Sequence, residues 1–200
     1  MFYRLIIKRN LDILVSFIVI IFLSPLLIII GFLNLFFNGR PILFKQQRPG
    51  YKGKLFTLVK FRTMDLEAEE FKNDQKRLNS FGRFLRKTSL DELPSLFNVL
   101  KGELSFVGPR PLLKKYLGLY SPYQARRHEV YPGLSGLAQI NGRNLLDWER
   151  RFDYDVRYVK NQSIILDLKI IILTFQIILK GKGVSPKNTE IMPEFKPKPK

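Results

Sequence analysis

The sequence predicts an α+β chain that is mostly helical: an apolar N-terminal membrane segment, then a small domain of amphipathic helices with one short β-hairpin. Three observations predict it. From Ile13 to Phe37 the chain reads ILVSFIVIIFLSPLLIIIGFLNLFF, with no charged residue between Asp12 and Arg40. Residues 42–47 (ILFKQQ) and 54–62 (KLFTLVKFR) are rich in strand formers and flank RPGYKG, where Pro49-Gly50 suits a type II turn. Leu145, Trp148, Phe152, Val156 and Val159 recur at helical spacing with Asp and Arg between them, so the stripe reads as core.

Two hundred residues allow one domain with appendages. Thirty-four Lys and Arg against seventeen Asp and Glu, a net charge of +17, imply an anionic partner: nucleic acid, anionic lipid or phosphorylated small molecules. The absence of cysteine excludes disulfides, zinc-thiolate sites and thiol catalysis, and a single histidine excludes multi-histidine metal sites. A metal here must be held by oxygen, which favours magnesium or calcium. His128 follows Arg126 and Arg127 and reads as surface helix rather than catalytic base.

The apolar segment is too long for a signal-peptide core and no small-residue cleavage site follows it. Ser24-Pro25 falls near its middle, where proline removes a donor and the serine hydroxyl can satisfy the freed carbonyl. The halves Ile13–Leu23 and Leu26–Phe37 would each be roughly 16–18 Å long, too short to cross a core of about 30 Å alone. Arg4, Lys8 and Arg9 precede the segment and Arg40, Lys45 and Arg48 follow it, a pattern that suits both ends in the cytoplasm. On these residues alone a re-entrant hairpin and a kinked spanning helix are equally open.

Residues 65–80 read as a polar surface excursion, and a helix is expected from about residue 90, carrying Leu93, Leu96, Phe97 and Leu100 on one face until Gly102. In SFVGPRP, Pro109 and Pro111 bracket Arg110 and stiffen its backbone. Residues 164–179 read as a buried or interfacial helix, and Leu112–Tyr120 as a second segment able to lie in a lipid surface. The last fifteen residues, ending KPKPK, read as a disordered basic tail.

The stretch SLDELPS places Asp91 and Glu92 side by side in this basic chain. Ser89 and Glu92 form a capping-box pattern that needs no function, but Pro94 would then be the fifth helical residue, where a donor is required. A cap at Leu90 or Asp91 puts Pro94 in the first turn and both carboxylates at the helix mouth. Ionised carboxylates suit attack on phosphorus or the holding of magnesium, provided cations offset the phosphate charge. Lys60 and Arg62 at the end of the hairpin, Arg86, the bracketed Arg110, and Arg143 in the NGRN turn supply such cations.

The run LDELPSLFNVLKGELSFVGPRP, with KFRTM upstream and PGLSGLAQINGRN downstream, resembles the bacterial sugar transferase family, the monotopic phosphoglycosyl transferases. Among its minimal members the chain looks most like the undecaprenyl phosphate N,N'-diacetylbacillosamine 1-phosphate transferases. The resemblance implies transfer of a sugar 1-phosphate from a UDP-sugar, UDP-N,N'-diacetylbacillosamine among the candidates, to undecaprenyl phosphate with release of UMP. This would be the first membrane step of glycoconjugate synthesis, as in protein glycosylation. It implies that Asp91 attacks the sugar-bearing phosphorus to form a covalent aspartyl-phosphosugar, that Glu92 with Asp91 holds magnesium (Mg2+), and that Lys60, Arg86, Arg110 and Arg143 bind phosphate.

The resemblance further implies a re-entrant membrane hairpin over 1–38, broken at Ser24-Pro25. A catalytic domain over 39–184 would then sit on the cytoplasmic face of the bacterial inner membrane, with a basic tail over 185–200. Anionic lipids are expected partners and nucleic acid is not. The competing reading is a non-catalytic basic adaptor on the membrane surface.

Overall fold

Lys8–Asn38 form one long helix, α1, in the computed structural model of the chain, which describes residues 6–64, 78–142, 145–180 and 194–196. Helical backbone runs through Pro25 as one element. Proline has no N–H for the Ile21 carbonyl one turn back, and the Ser24 hydroxyl donates to that carbonyl instead at 2.8 Å.

One face of α1 lies on the rest of the protein and both of its ends are tied there. Near the start, Lys8 pairs with Asp167 at 2.8 Å and Arg9 donates to the Leu104 carbonyl at 3.0 Å. Near the end, the buried Asn34 donates to the Arg62 carbonyl at 2.7 Å, and Ile30 packs with Phe61 and Leu85. The opposite face leaves Phe22, Phe32 and Phe36 exposed.

The hairpin forms from β1 (Leu43–Pro49) and β2 (Leu55–Phe61), antiparallel, with Leu43 opposite Phe61 and Pro49 opposite Leu55. The reversal falls later than the predicted Pro49-Gly50 turn. Pro49 still belongs to the ladder, and the chain turns over Tyr51–Gly53, with Lys52 and Gly53 in the left-handed region at φ 53° and 74°. Most of the predicted 65–80 excursion lies outside the described residues.

Helix α2 (Ser80–Thr88) starts at Asn79, whose side-chain oxygen accepts from the Gly82 N–H at 2.7 Å. A 3₁₀ turn, Leu90–Ser95, leads into the short helix α3 (Leu96–Leu100). Two three-residue strands that the pattern did not announce, β3 (Ser105–Val107) and β4 (Gly133–Ser135), pair in parallel. Between them lie a 3₁₀ turn at Lys114–Leu119 and the single-turn helix α4 (Pro122–Ala125). After β4 come α5 (Leu137–Ile140), α6 (Trp148–Asn161) and α7 (Ile164–Leu179).

Helix α6 buries Phe152, Val156 and Val159 as its spacing predicts, but Leu145 precedes the helix and is exposed. Asp147 starts that helix by accepting from the Arg150 N–H at 2.7 Å. Helix α7 is two-sided: Ile170 joins Val107, Val130, Tyr158 and Val159 in the core, while Ile165, Ile172, Phe175 and Leu179 face outward. Exposed apolar faces such as those of α7 and α1 are the mark of an interaction surface.

The Leu112–Tyr120 segment is two-sided: Leu112 and Tyr116 are buried against Phe152, while Leu117 and Leu119 are exposed. Phe195 completes this cluster, 5.1 Å from Phe152 and 5.3 Å from Trp148 between ring centroids, beside an ion pair of Lys115 with Glu194. The expected disordered tail is therefore anchored at Glu194–Lys196; its other residues lie outside the described set. His128 is also packed rather than superficial, with Nδ1–H donating to the Gly50 carbonyl at 3.0 Å. Burial, then the Arg127 charge, push its imidazole down to about 4, so it stays neutral.

Truncating Phe195 to Ala removes a buried ring and is expected to cost about 3 kcal/mol. The thermal midpoint of the full-length protein measures it, and an unchanged midpoint would show that the ring is not seated in solution.

Candidate active site

The two acidic residues sit where the chain changes direction. Helix α2 ends at Thr88, and Ser89 adopts the left-handed conformation, φ 59°, that starts the 3₁₀ turn. The Ser89 side chain makes no cap bond. The Glu92 N–H instead bonds the Ser89 carbonyl at 3.2 Å, so a backbone turn replaces the capping box. Asp91 and Glu92 fall in the first turn of the 3₁₀ element as expected, but the element follows directly on Ser89, so Pro94 is its fifth residue and not part of a first turn capped at Leu90 or Asp91. The tighter winding of a 3₁₀ turn also rotates the expected apolar stripe. Leu96 and Val99 are buried, while Phe97 turns outward.

Strand β2 reaches this turn through side chains rather than a third strand. The buried Ser95 hydroxyl donates to the Val59 carbonyl at 2.7 Å, and the buried Asn98 accepts from the Val59 N–H at 3.1 Å and donates to the Thr57 carbonyl at 2.8 Å. These bonds satisfy the open edge of the hairpin and bring the next residue, Lys60, opposite Glu92. Sequence reading passed over Ser95 and Asn98; their signal was two polar residues in an otherwise apolar run.

Lys60 Nζ lies 2.5 Å from Glu92 Oε1, and Arg110 Nη2 lies 2.6 Å from the same oxygen. Arg86 donates from Nε to the Thr63 hydroxyl at 3.0 Å and is near enough to favour the charged form of Asp91. The structure thus gathers Asp91, Glu92, Lys60, Arg86 and Arg110; Arg143 lies outside the described residues. Arg62, grouped with Lys60 by sequence, turns away. Its guanidinium donates to the carbonyls of Asn38, Pro41 and Met64 and closes the end of α1.

Arg110 is placed by the crossing of two glycine-bearing segments. A side chain on Gly133 would meet the Gly108 nitrogen at 2.1 Å, and one on Gly136 would meet the Gly108 carbonyl oxygen at 2.2 Å. The Gly108-Pro109-Arg110-Pro111 bracket and the stretch from Gly133 to Gly136 therefore touch backbone to backbone. From behind, Arg127 donates to the Arg110 carbonyl at 2.6 Å while paired with Asp155 at 2.9 Å, both side chains almost fully buried. Sequence reading took Arg127 as part of a surface run.

The adjacent carboxylates are electrically unlike. Burial alone would raise Glu92, but Arg110 and Lys60 outweigh it and hold the carboxyl well below the usual range, so it stays ionised. Asp91 is pushed up to about 6 by burial and then by the Glu92 charge, with Lys60, Arg110 and Arg86 only partly offsetting this. Asp91 makes none of the close ion pairs that engage Glu92, so its oxygens are available to a substrate. Among the described residues no group of three or more ligating side chains converges. Two neighbouring carboxylates still fit magnesium, which is commonly bound by one or two of them with substrate phosphates and water completing its shell.

A carboxyl whose folded value lies above its unfolded one costs stability when it ionises. For Asp91 that cost is absent below about pH 4 and complete above about pH 6, given its rise from 3.8 to about 6. Asp91→Asn is therefore expected to stabilise the protein at about pH 7.5, by on the order of 2 kcal/mol, and to lose that advantage near pH 4. Thermal midpoints at both pH values check this; equal effects would show that Asp91 is not held in the raised state.

The family model described as bacterial sugar transferase matches residues 3–181. The chain is 57% identical over 153 residues to the uncharacterized sugar transferase EpsL of Bacillus subtilis, covering 75% of this chain and 76% of that protein. It is 43% identical to the UDP-glucose:undecaprenyl-phosphate glucose-1-phosphate transferase of Klebsiella pneumoniae and 38% identical to the undecaprenyl-phosphate galactose phosphotransferase of Salmonella typhimurium. Those matches cover 89% and 88% of this chain but only 40% and 41% of the two relatives. With a family match spanning nearly all of its length, the chain belongs to the bacterial sugar transferase family.

Proposed function

We propose that the protein transfers a sugar 1-phosphate from a UDP-sugar to undecaprenyl phosphate, releasing UMP, through a covalent intermediate on Asp91. The observation that carries this reading is the inequality of the two acids: Glu92 is committed to Lys60 and Arg110, while Asp91 is left to react. Relatives bearing glucose and galactose undecaprenyl-phosphate transferase names support it.

In the first step an Asp91 oxygen attacks the sugar-bearing phosphorus, and the bond from that phosphorus to the bridging oxygen breaks as UMP leaves with the electron pair. In the second, a phosphate oxygen of undecaprenyl phosphate attacks the same phosphorus and the carboxylate departs, which regenerates Asp91. Lys60, Arg86 and Arg110 offset the phosphate charge against that of the incoming carboxylate. Asp91 and Glu92 would hold magnesium, which supplies further neutralisation of the diphosphate when bound.

The lipid acceptor places this chemistry at a membrane, on the cytoplasmic face of the bacterial inner membrane in this reading. Support comes from α1: a helix crossing a bilayer would carry one end away from its domain, yet both ends of α1 are bonded to the same domain. The apolar face of α1 then enters the lipid and returns at Ser24-Pro25. The basic surface faces anionic headgroups, each charge near the membrane adding about 1 kcal/mol.

A panel of UDP-sugars, including UDP-N,N'-diacetylbacillosamine, UDP-glucose and UDP-galactose, assayed with undecaprenyl phosphate and magnesium is expected to give UMP for one donor and none for Asp91→Asn. Incubation of that donor without acceptor should add one phosphosugar to the protein mass. Turnover by Asp91→Asn would exclude the nucleophile, and vesicle binding without UMP from any donor would favour a non-catalytic adaptor. The chain has no native cysteine, so Asn10→Cys and Arg40→Cys can be labelled singly. Both should react from the cytoplasmic side, and labelling from opposite sides would rule out the re-entrant form.

A further inference from the structure

Arg48, near the end of β1, is a half-buried cation without an anionic partner. Its Nη2 donates to Gln46 Oε1 at 2.5 Å, its Nη1 reaches the Pro111 carbonyl only at 3.5 Å, and its buried Nε–H has no acceptor. Among the described residues the ion pairs leave it out. Burial first, and then the charge of another guanidinium, Arg110, pull Arg48 down to about 10, with Tyr116 and Tyr120 only partly offsetting them. Arg110 itself is paired with Glu92, which it shares with Lys60, and no carboxylate among the described residues is one of the groups that act on Arg48.

Two like charges beside one another in a partly dry place are costly unless an anion sits with them. A bond to Pro111 at the limit of hydrogen-bonding distance does not repay that cost, so bracing the bracket is an insufficient role for Arg48. A guanidinium fork matches phosphate oxygens two at a time, and a seat made of two such forks suits a phosphate dianion. We propose that Arg48 and Arg110 form a seat for a substrate phosphate group. The proposal deepens the transferase reading and rests on it for the identity of the ligand: the phosphate of the polyprenyl acceptor or the diphosphate of the nucleotide sugar.

The test begins without turnover. The purified full-length protein is titrated with inorganic phosphate, against chloride at matched ionic strength, while its thermal midpoint is followed. Wild type is expected to rise with phosphate; Arg48→Gln should lose most of the rise, and Arg48→Lys, which keeps the charge but not the fork, should need about tenfold more phosphate. A wild-type response in either variant overturns the proposal, as does an equal rise with chloride. These outcomes are independent of whether the protein is a transferase.

Kinetics of Arg48→Lys then separate the sources. A rise of about tenfold in KM for undecaprenyl phosphate alone assigns the acceptor phosphate, and the same rise for the UDP-sugar alone assigns the donor. A fall in kcat with both KM values unchanged would reduce Arg48 to a brace for Pro111 and overturn the seat.

Discussion

A single carboxylate oxygen, Glu92 Oε1, holds the site together. It accepts from Lys60 at the end of the hairpin and from Arg110 in the proline bracket, segments fifty residues apart in the chain. Without it, three cations would face one another around Asp91. With it, two of them are fixed, and the negative charge they neutralise is that of Glu92 rather than of Asp91. The consequence reaches Asp91 through the backbone: its neighbour stays ionised at any working pH, which makes its own ionisation harder. Two carboxylates of unlike ionisation are thereby made from adjacent residues.

Each partner of Glu92 is itself held from behind by buried polar bonds. Ser95 and Asn98 fasten the strand that carries Lys60, and Arg127, paired with Asp155, fastens the carbonyl of Arg110. Buried polar groups of this kind stabilise little when complete and are costly when broken, so they favour one arrangement over near alternatives. The glycines at 108, 133 and 136 serve the same end by letting two backbones touch.

Much of this was legible where the signal is local. Periodicity located α6, an uncharged apolar run located α1, strand formers located β1 and β2, and the adjacent Asp91 and Glu92 marked the turn where the cations gather. The rest depended on partners distant in sequence. Nothing in KFR distinguishes Lys60, which faces the acids, from Arg62, which caps α1. Strands β3 and β4 are too short to leave an alternating pattern, and they pair across more than twenty residues. Phe97 reads as core by spacing but lies outward because the preceding turn is 3₁₀. Arg48 reads as one more flanking charge until its lack of a carboxylate is seen.

The aromatic ring of Phe195 bears on how far along the chain the packed core extends. Its matched family region closes at residue 181, and the proline- and lysine-rich stretch beyond looks dispensable by composition. Yet that ring fills the space between Tyr116, Tyr120, Trp148 and Phe152, and Arg127 lies over two of the same rings while gripping Arg110. A chain trimmed to the homologous segment would keep every residue of the site and lose the plug two contacts behind it. The packing of Phe195 thus lies fourteen residues past the end of the family match.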